Sequence, residues 1–268
     1  MGLLNITSLQ NPIVKQMVRL KDRRDRDESK RFLIEGYREI KRALDHGIEL
    51  ESMMVCPDLF LGINEEDLME CAQKRNVRLY ESISRVFHKI SYRDRPDGLI
   101  AIAKQMNFTL ANLSLKKNPF FVVAQSIEKP GNLGTILRSS DAANVDGVIV
   151  CDRCTDIYNP NVVRASVGTL FSRPVVEAAS EEMIQWLKKN SIRVVAATPH
   201  APSSFTKVDL SGPVAVVVGT EQIGLTGDWM EMADIQVRIP MLGSADSLNV
   251  ATATTLLLYE VLRQRGIS

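Results

Sequence analysis

The clearest indication of the fold class of this chain is the segment Val214-Ala-Val-Val-Val-Gly-Thr-Glu-Gln-Ile-Gly224. Its five consecutive apolar residues predict a strand that is buried on both faces, and the glycine after them begins a loop. Similar apolar runs begin at Phe120, Val148 and Val194, with helical patterns between them. Because such runs alternate with helices, we predict an α/β domain with a parallel sheet over residues 118–268.

The N-terminal part of the chain predicts a second, smaller α/β domain over residues 1–106. Its strand patterns at Arg31–Glu35 and Leu50–Val55 alternate with helical patterns, and Asn11 before Pro12 is typical of a helix start. Residues 107–117 show no clear periodicity of hydrophobic residues and end in two lysines, which indicates a linker between the two domains.

Composition limits the class of protein. The chain has 268 residues, of which 45% are hydrophobic and 24% charged, so it is globular and long enough for two domains. No apolar run reaches the roughly 18–20 residues needed to span a bilayer. The first residues also lack the apolar core of a signal peptide. We therefore expect a cytoplasmic protein that does not enter the membrane.

The four cysteines, Cys56, Cys71, Cys151 and Cys154, fit a reducing compartment better than a disulfide framework. Cys151 and Cys154 have C-x-x-C spacing, but a structural zinc site needs a second such pair or nearby histidines. The other two cysteines do not supply that spacing. We expect no metal site and interpret Cys151 and Cys154 as inert thiols at the end of a buried strand.

Charge alone does not identify a partner, since the net charge is only +1. Residues 15–30 are locally basic, but four acidic residues lie among their cations. From charge alone we favour a solvated helix end with local ion pairs, and an RNA-binding surface is the alternative.

Three loops carry unusual chemistry, and ligands of parallel sheets bind in loops at the carboxyl ends of strands. Residues 128–138 include Gly131 and Gly134 but do not form the G-x-G-x-x-G fingerprint of dinucleotide sites. Residues 219–224 place Glu221 where a buried strand meets solvent. Residues 239–249 combine apolar residues, a glycine and a helix cap. Each loop by itself could be an ordinary turn or cap.

In this order, the three loops resemble the motifs of the SPOUT superfamily, and within it the SpoU or TrmH-type ribose 2′-O-methyltransferases, over roughly residues 118–265. The N-terminal domain is similar to the L30e-like substrate-binding domain of these enzymes. The matching residues are Asn132 with Arg138, Gly219-x-Glu221-x-x-Gly224, Ile239-Pro-Met-x-Gly243 with Ser247-Leu-Asn249-Val, Ile6-Thr-Ser-x-x-Asn-Pro-x-Val-Lys15 and Phe32-Leu-Ile-Glu-Gly36.

The resemblance implies an α/β domain whose C-terminal segment forms a trefoil knot and which works as a homodimer. It implies an S-adenosylmethionine-dependent RNA ribose 2′-O-methyltransferase, with ribosomal RNA favoured as the substrate. A transfer-RNA methyltransferase and an enzyme of antibiotic resistance remain alternatives. A non-catalytic RNA-binding factor of ribosome assembly is the alternative from another class. The missing G-x-G-x-x-G argues against a nicotinamide-dependent enzyme.

The same resemblance assigns roles to individual residues. Catalytic roles fall on Arg138, Asn132, Glu221, Ser247 and Asn249. The residues expected to bind the methyl donor are Thr198, Val218, Gly219, Glu221, Ile239, Met241, Ser247 and Leu248. RNA contacts are expected from Asn11, Lys15, Arg23, Arg24, Arg138 and Arg164.

The role of Arg138 is open at this point. An arginine has a pKa above about 12 and resists deprotonation, which disfavours it as a proton acceptor. It can grip a substrate phosphate and orient the ribose, which is the interpretation we favour. Alternatively, contacts with Asn132 and Glu221 in a site that excludes water could favour the deprotonated form of Arg138, so that it accepts the proton. His200, a loop histidine, is interpreted as having no catalytic role.

Overall fold

The structure is a computed structural model that describes residues 3–220 and 222–267. Its contacts divide the chain into two compact units. The first unit contains Met1–Met106 together with Asp156–Ser172, and the second contains Asn107–Thr155 together with Arg173–Ser268. The domain limits expected from the sequence stay a prediction. None of the described helices is both long and apolar enough to cross a membrane.

The first unit alternates strands and helices. In chain order its first elements are β1 (Leu4–Ile6), α1 (Pro12–Arg19), α2 (Arg23–Ser29), β2 (Arg31–Glu35), α3 (Tyr37–Asp45), β3 (Leu50–Val55), α4 (Glu65–Lys74), β4 (Arg78–Ser82), α5 (Ser84–Ile90) and β5 (Leu99–Lys104). The sheet order is β1-β4-β3-β5-β2. Strands β1, β4 and β3 run parallel, and β5 is antiparallel to β3 and β2.

Local sequence explains the start of α1. The Asn11 side chain accepts a hydrogen bond from the backbone N–H of Ile13 at 3.0 Å, and Pro12 occupies the first helical position. Both features stabilise a helix start, because the cap satisfies a free N–H and proline fixes φ near its helical value. The helix start predicted from these two residues is confirmed.

Arg26 corrects the interpretation of residues 15–30 as a solvated helix end. Its side chain on α2 is buried, and its Nη2 lies 2.7 Å from Oδ2 of Asp156. Its Nη1 also donates to the carbonyls of Leu20 and Lys21. A buried charge is tolerated only when it is paired and hydrogen-bonded. Arg26 therefore connects α2 to Asp156 in the interior of the first unit.

The second unit is built on a parallel sheet. The remaining elements, of which only α7 belongs to the first unit, are β6 (Phe120–Gln125), α6 (Pro130–Ala142), β7 (Gly147–Cys151), α7 (Pro160–Ala165), β8 (Val175–Ala178), α8 (Ser180–Lys189), β9 (Arg193–Ala197), β10 (Ser203–Ser204), β11 (Val214–Val218), α9 (Gly227–Met232), β12 (Ile235–Arg238) and α10 (Val250–Gln264). The sheet order is β10-β12-β9-β11-β6-β7-β8, with every pair parallel.

The predicted α/β fold with a parallel sheet is confirmed. Strands β6, β7 and β11 are buried along their whole length, as continuous apolar runs predict. Strands β8, β10 and β12 were not predicted, because they are short and only partly buried. Leu110 and Leu113, from the stretch expected to be a linker, are buried in the core of the second unit.

Candidate functional site

A cavity of about 560 Å³ lies at the carboxyl ends of β9, β11 and β12, which are neighbours in the sheet. The loops that follow these three strands line it, together with Val250, Ala253 and Leu257 of α10. This edge is where parallel sheets bind their ligands, because the loops there converge while the strands below stay rigid. The cavity is therefore the candidate functional site of the second unit.

Most residues expected to bind the methyl donor line this one cavity. Glu221 lies outside the described residues, so its placement is not discussed. The others are Thr198, Val218, Gly219, Ile239, Met241, Ser247 and Leu248. Three chain segments that are distant in sequence thus supply a single pocket.

The loop after β11 is closed tightly on itself. Thr220 and Gly224 exchange two backbone hydrogen bonds of 3.1 Å each, and Gly224 has a φ of +73°. A Cβ atom on Gly219 would overlap with the backbone of Gly224 and Leu225. The motif therefore needs glycine at its first position for close backbone approach and at its last for a left-handed turn.

Gln125 fixes the far end of that loop. It is the buried last residue of β6, its Nε2 donates to Oγ1 of Thr226 at 2.9 Å, and its Oε1 accepts from the backbone N–H of Thr226 at 3.1 Å. Gln125 was not among the residues predicted from the sequence. The sequence feature that could have identified it is a single amide at the end of an otherwise apolar strand. A polar group buried there needs hydrogen-bond partners.

The loop after β12 keeps its backbone available. Within the described chain, residues 240–248 form no backbone–backbone hydrogen bond. Asp246, Ser247 and Leu248 from this loop line the cavity, and Asn249 then caps α10 through its side chain. Backbone polar groups without internal partners are able to hold a polar ligand.

Asn132 and Asn249 bring the first and third motifs together. The Nδ2 of Asn249 donates to Oδ1 of Asn132 at 3.1 Å, and further along the same two helices the hydroxyls of Ser139 and Thr255 lie 2.6 Å apart. The first motif is mostly helix rather than loop, since α6 already begins at Pro130. Lys129 precedes it as a cap without a side-chain hydrogen bond.

Arg138 is exposed on α6 and is not among the residues that line the cavity. It follows Asn132 by six residues, which places the two side chains roughly 120° apart around the helix. The structure therefore brings Asn132, Ser247 and Asn249 to one edge of the second unit, and it directs Arg138 elsewhere.

Among the lining residues that were not expected to bind the donor, two have titratable side chains. Asp246 carries the only charged side chain of the cavity among the described lining residues, and His200 lies on the loop after β9. The sequence offered no pattern for Asp246, which stands between the glycine and the serine of the third motif. His200 was assigned no role, and the structure places it in the cavity wall.

Five residues expected to contact RNA lie in the first unit. Asn11 caps α1, and Lys15 is exposed on that helix. Arg23 and Arg24 form exposed ion pairs with Asp27 and Glu28, as the charge pattern predicted. The fifth residue, Arg164, is exposed on α7.

The cysteines are free thiols. Cys151 is buried at the end of β7, and burial raises the pKa of its thiol to about 12, whereas Cys154 is exposed. Among residues 3–220 and 222–267, no three His, Cys, Asp or Glu side chains form a group able to hold a metal.

Comparison with known proteins identifies the family. Residues 119–259, more than half of the chain, match the SpoU rRNA methylase family. The chain belongs to that family. Residues 11–101 match the MRM3-like substrate-binding domain, so the predicted combination of a SpoU domain with an N-terminal substrate-binding domain is confirmed.

Relatives of this SpoU-family chain match it along nearly its whole length. The 23S rRNA (uridine(2479)-2′-O)-methyltransferase of Streptomyces viridochromogenes is 29% identical, over 97% of this chain and 92% of the relative. A crystal structure described as an RNA 2′-O ribose methyltransferase is 44% identical, with a TM-score of 0.87 over 98% of this chain and 99% of the other. An AdoMet-bound rRNA methyltransferase from Sinorhizobium meliloti is 32% identical, with a TM-score of 0.89 over 97% and 98%.

Proposed function

We propose that this chain is an S-adenosylmethionine-dependent RNA ribose 2′-O-methyltransferase that acts on ribosomal RNA. The observation that carries the proposal is the cavity at the ends of β9, β11 and β12, which unites the second and third SpoU motifs. Family membership and the similar enzymes support the reaction. The match to a substrate-binding domain supports a large substrate.

The cavity fits the methyl donor in size and chemistry. Its volume of about 560 Å³ lies within the usual range of small-molecule sites. The side chains of Ile239, Leu248 and Leu257 offer apolar surface for an adenine ring, and the backbone of residues 240–248 offers hydrogen-bonding groups. When bound, S-adenosylmethionine supplies a methyl group on a positively charged sulfur. We assign to its binding Thr198, Val218, Gly219, Glu221, Ile239, Met241, Ser247 and Leu248.

The chain must position a ribose and accept or relay its proton. A 2′-hydroxyl is a weak nucleophile, so its proton has to leave as its oxygen bonds to the methyl carbon. Holding the reacting groups in line removes about 7–11 kcal/mol of barrier in the best intramolecular cases. We assign this positioning to Asn132, Glu221, Ser247 and Asn249. Arg138 orients the substrate through its positive charge, and water or another group takes the proton.

We further propose that a second copy of the chain completes the site. Arg138 is exposed on α6, and α10, which packs beside α6, exposes 41% of Leu256 and 50% of Tyr259. Apolar surface on paired helices favours burial against the same surface of a partner, as in a symmetric dimer. Light scattering is expected to give twice the chain mass of 29.9 kDa.

The trefoil knot of the fold is also a proposal for this chain. Two observations support it. The loops after β11 and β12 line the same cavity, and α10 then packs against α6 and β11.

RNA contacts are proposed for Asn11, Lys15, Arg23, Arg24 and Arg164, because four of them present cationic groups at the surface and Asn11 begins the same helix as Lys15. A cytoplasmic location is proposed from the ribosomal RNA substrate.

Transfer of a tritiated methyl group to ribosomal RNA tests the function. A 2′-O-methyl group removes the hydroxyl that alkali needs for strand cleavage, so the label should appear in alkali-stable dinucleotides. Mapping 2′-O-methylation in total RNA from cells with and without the protein should then locate the nucleotide. Label in mononucleotides would contradict ribose methylation. Label in transfer RNA alone would favour that substrate, and absence of donor binding would indicate a non-catalytic RNA-binding factor.

A further inference from the structure

A polar groove of about 650 Å³ crosses the sheet of the first unit beside α1. Its residues come from neighbouring strands, since Arg31 pairs in register with Lys104 and Ser52 pairs with Arg78. Gln16 lines the groove from α1. The groove is therefore made by regular elements rather than by loops alone, and its shape is defined before any ligand arrives.

Positive charge predominates along this groove. Its charged side chains are the four cations Arg31, Arg75, Arg78 and Lys104 and the two anions Glu49 and Glu51. Glu51 accepts from Nε of Arg31 at 2.5 Å, and Glu49 lies 2.5 Å from Nζ of Lys104. These pairs neutralise two of the cations and hold their side chains in place, so the groove retains an excess of positive charge for a polyanion.

Arg78 and Arg75 supply that excess. Arg78 is exposed on β4 and forms no ion pair with another described residue. Arg75 is exposed after α4, and its Nη1 donates to the carbonyl of Leu44, which fixes the direction of the guanidinium without neutralising it. Two guanidinium groups without carboxylate partners are well suited to phosphate, which they can bind through paired N–H donors.

Tyr80 adds an aromatic surface to the same groove. It stands two residues after Arg78 on β4, so both side chains project from the same face of the sheet. Tyr80 is half-buried, because part of it packs on the apolar cluster that includes Val14 and Met17. An aromatic ring held firmly beside cations is the combination that single-stranded nucleic acids bind, since any base can stack on the ring while the backbone meets the charges.

We propose that this groove binds a single-stranded segment of the substrate RNA, with phosphates at Arg75 and Arg78 and a base on Tyr80. The proposal rests on the proposed function for its RNA ligand and adds a binding site to it. The amides of Gln16 and Asn76, which also line the groove, are available to base edges.

The test measures binding of the full-length protein to a fluorescein-labelled, unstructured RNA of about 12 nucleotides, within the site sizes of single-strand-binding modules. Arg78→Ala should weaken binding several-fold and reduce the slope of log affinity against log salt by about 0.7, the value for one phosphate of a single strand. Tyr80→Leu should weaken binding by on the order of tenfold with an unchanged salt slope, and Tyr80→Phe should retain binding.

Arg38→Ala is the matched control, since it removes an exposed arginine from α3 of the same unit, outside the groove. It should leave affinity and salt slope at the wild-type values, and every variant should bind S-adenosylmethionine normally.

Equal effects of Arg78→Ala and Arg38→Ala on RNA affinity would overturn the proposal that the groove binds RNA. A wild-type affinity of Arg78→Ala would overturn it too. If the wild type binds RNA through the groove but transfers no methyl group, the proposed function fails and the groove stands. If it methylates RNA while Arg78→Ala binds normally, the groove fails and the function stands.

Discussion

Asn249 donates a hydrogen bond to Asn132 over 3.1 Å, although 117 residues separate them in the chain. The same Asn249 side chain accepts from the backbone N–H of Ala251 at 3.0 Å and of Thr252 at 3.4 Å. Its oxygen is committed to capping α10, so its NH₂ group is left for Asn132. The Asn249 side chain therefore caps the start of α10 and also orients the side chain of Asn132 in the first motif.

Two substitutions at Asn249 should separate these roles. Asn249→Asp keeps a capping oxygen but loses the donor to Asn132, so stability should stay near wild type while methyl transfer falls at least about tenfold, the loss expected when a positioning hydrogen bond worth over 1.4 kcal/mol disappears. Asn249→Ala should also lose about 1 kcal/mol of stability with the cap. Urea unfolding and tritium transfer measure the two effects. Wild-type turnover by Asn249→Asp would show that the contact does not position the site.

Gly219→Ala should damage the donor site through the backbone. The added Cβ meets the backbone of Gly224 and Leu225, so the loop must shift at a cost of about 1–3 kcal/mol. We expect donor affinity to fall by on the order of tenfold in calorimetry. Gly227→Ala is the control, because nothing lies within 4 Å of its added Cβ and Gly227 does not line the cavity. Equal donor affinities for the two variants would contradict the tight-loop explanation.

Arg138→Ala should abolish methyl transfer and leave donor binding largely intact, since the residue lies outside the cavity that we assign to the donor. Arg138→Lys keeps the positive charge but loses the planar guanidinium with its paired N–H donors. Partial activity is therefore expected if the charge orients the substrate. Calorimetry of the donor and a tritium-methyl transfer assay distinguish binding from turnover. Full activity of Arg138→Ala would refute both roles considered for this arginine.

Asp246 should favour the charged donor over the uncharged product. S-adenosylmethionine carries a sulfonium charge that S-adenosylhomocysteine lacks, and Asp246 places a carboxylate in the cavity wall. Because this side chain is exposed, we expect Asp246→Asn to weaken donor binding only roughly two- to fivefold, and product binding less. Titration calorimetry at low salt measures the ratio. Asp228→Asn on α9 is the control, and equal losses for donor and product would exclude charge recognition by Asp246.

Cys151 should make stability depend on alkaline pH. Burial raises the pKa of its thiol to about 12, against about 8.5 for an unfolded chain. The native state therefore holds this proton more tightly, and the stabilisation is fully present below about pH 8.5 and is lost progressively as pH rises towards 12. The stability difference between wild type and Cys151→Ala, from urea unfolding, should shrink between pH 7 and pH 10. A constant difference would contradict this, and Cys154→Ala is the exposed control.

Local patterns in the sequence were sufficient to predict the class of the fold and the family of the chain. Apolar runs such as Val214–Val218 predict buried parallel strands because strands covered on both faces need no polar side chains. The ordered motifs around Asn132, Gly219 and Leu248 also pointed to the correct family. These features are local, so a short window of residues contains all the information they need.

Contacts between residues that are distant in the sequence became visible only in the folded chain. Arg26 reads as one more cation in a charged helix, yet it is buried against Asp156, 130 residues away. The groove around Arg78 likewise depends on strand register, since α1, β3 and β4 supply it from separate parts of the chain. Periodicity reports which face of an element is apolar, but the partner of that face is fixed by packing of the whole chain, which no local pattern encodes.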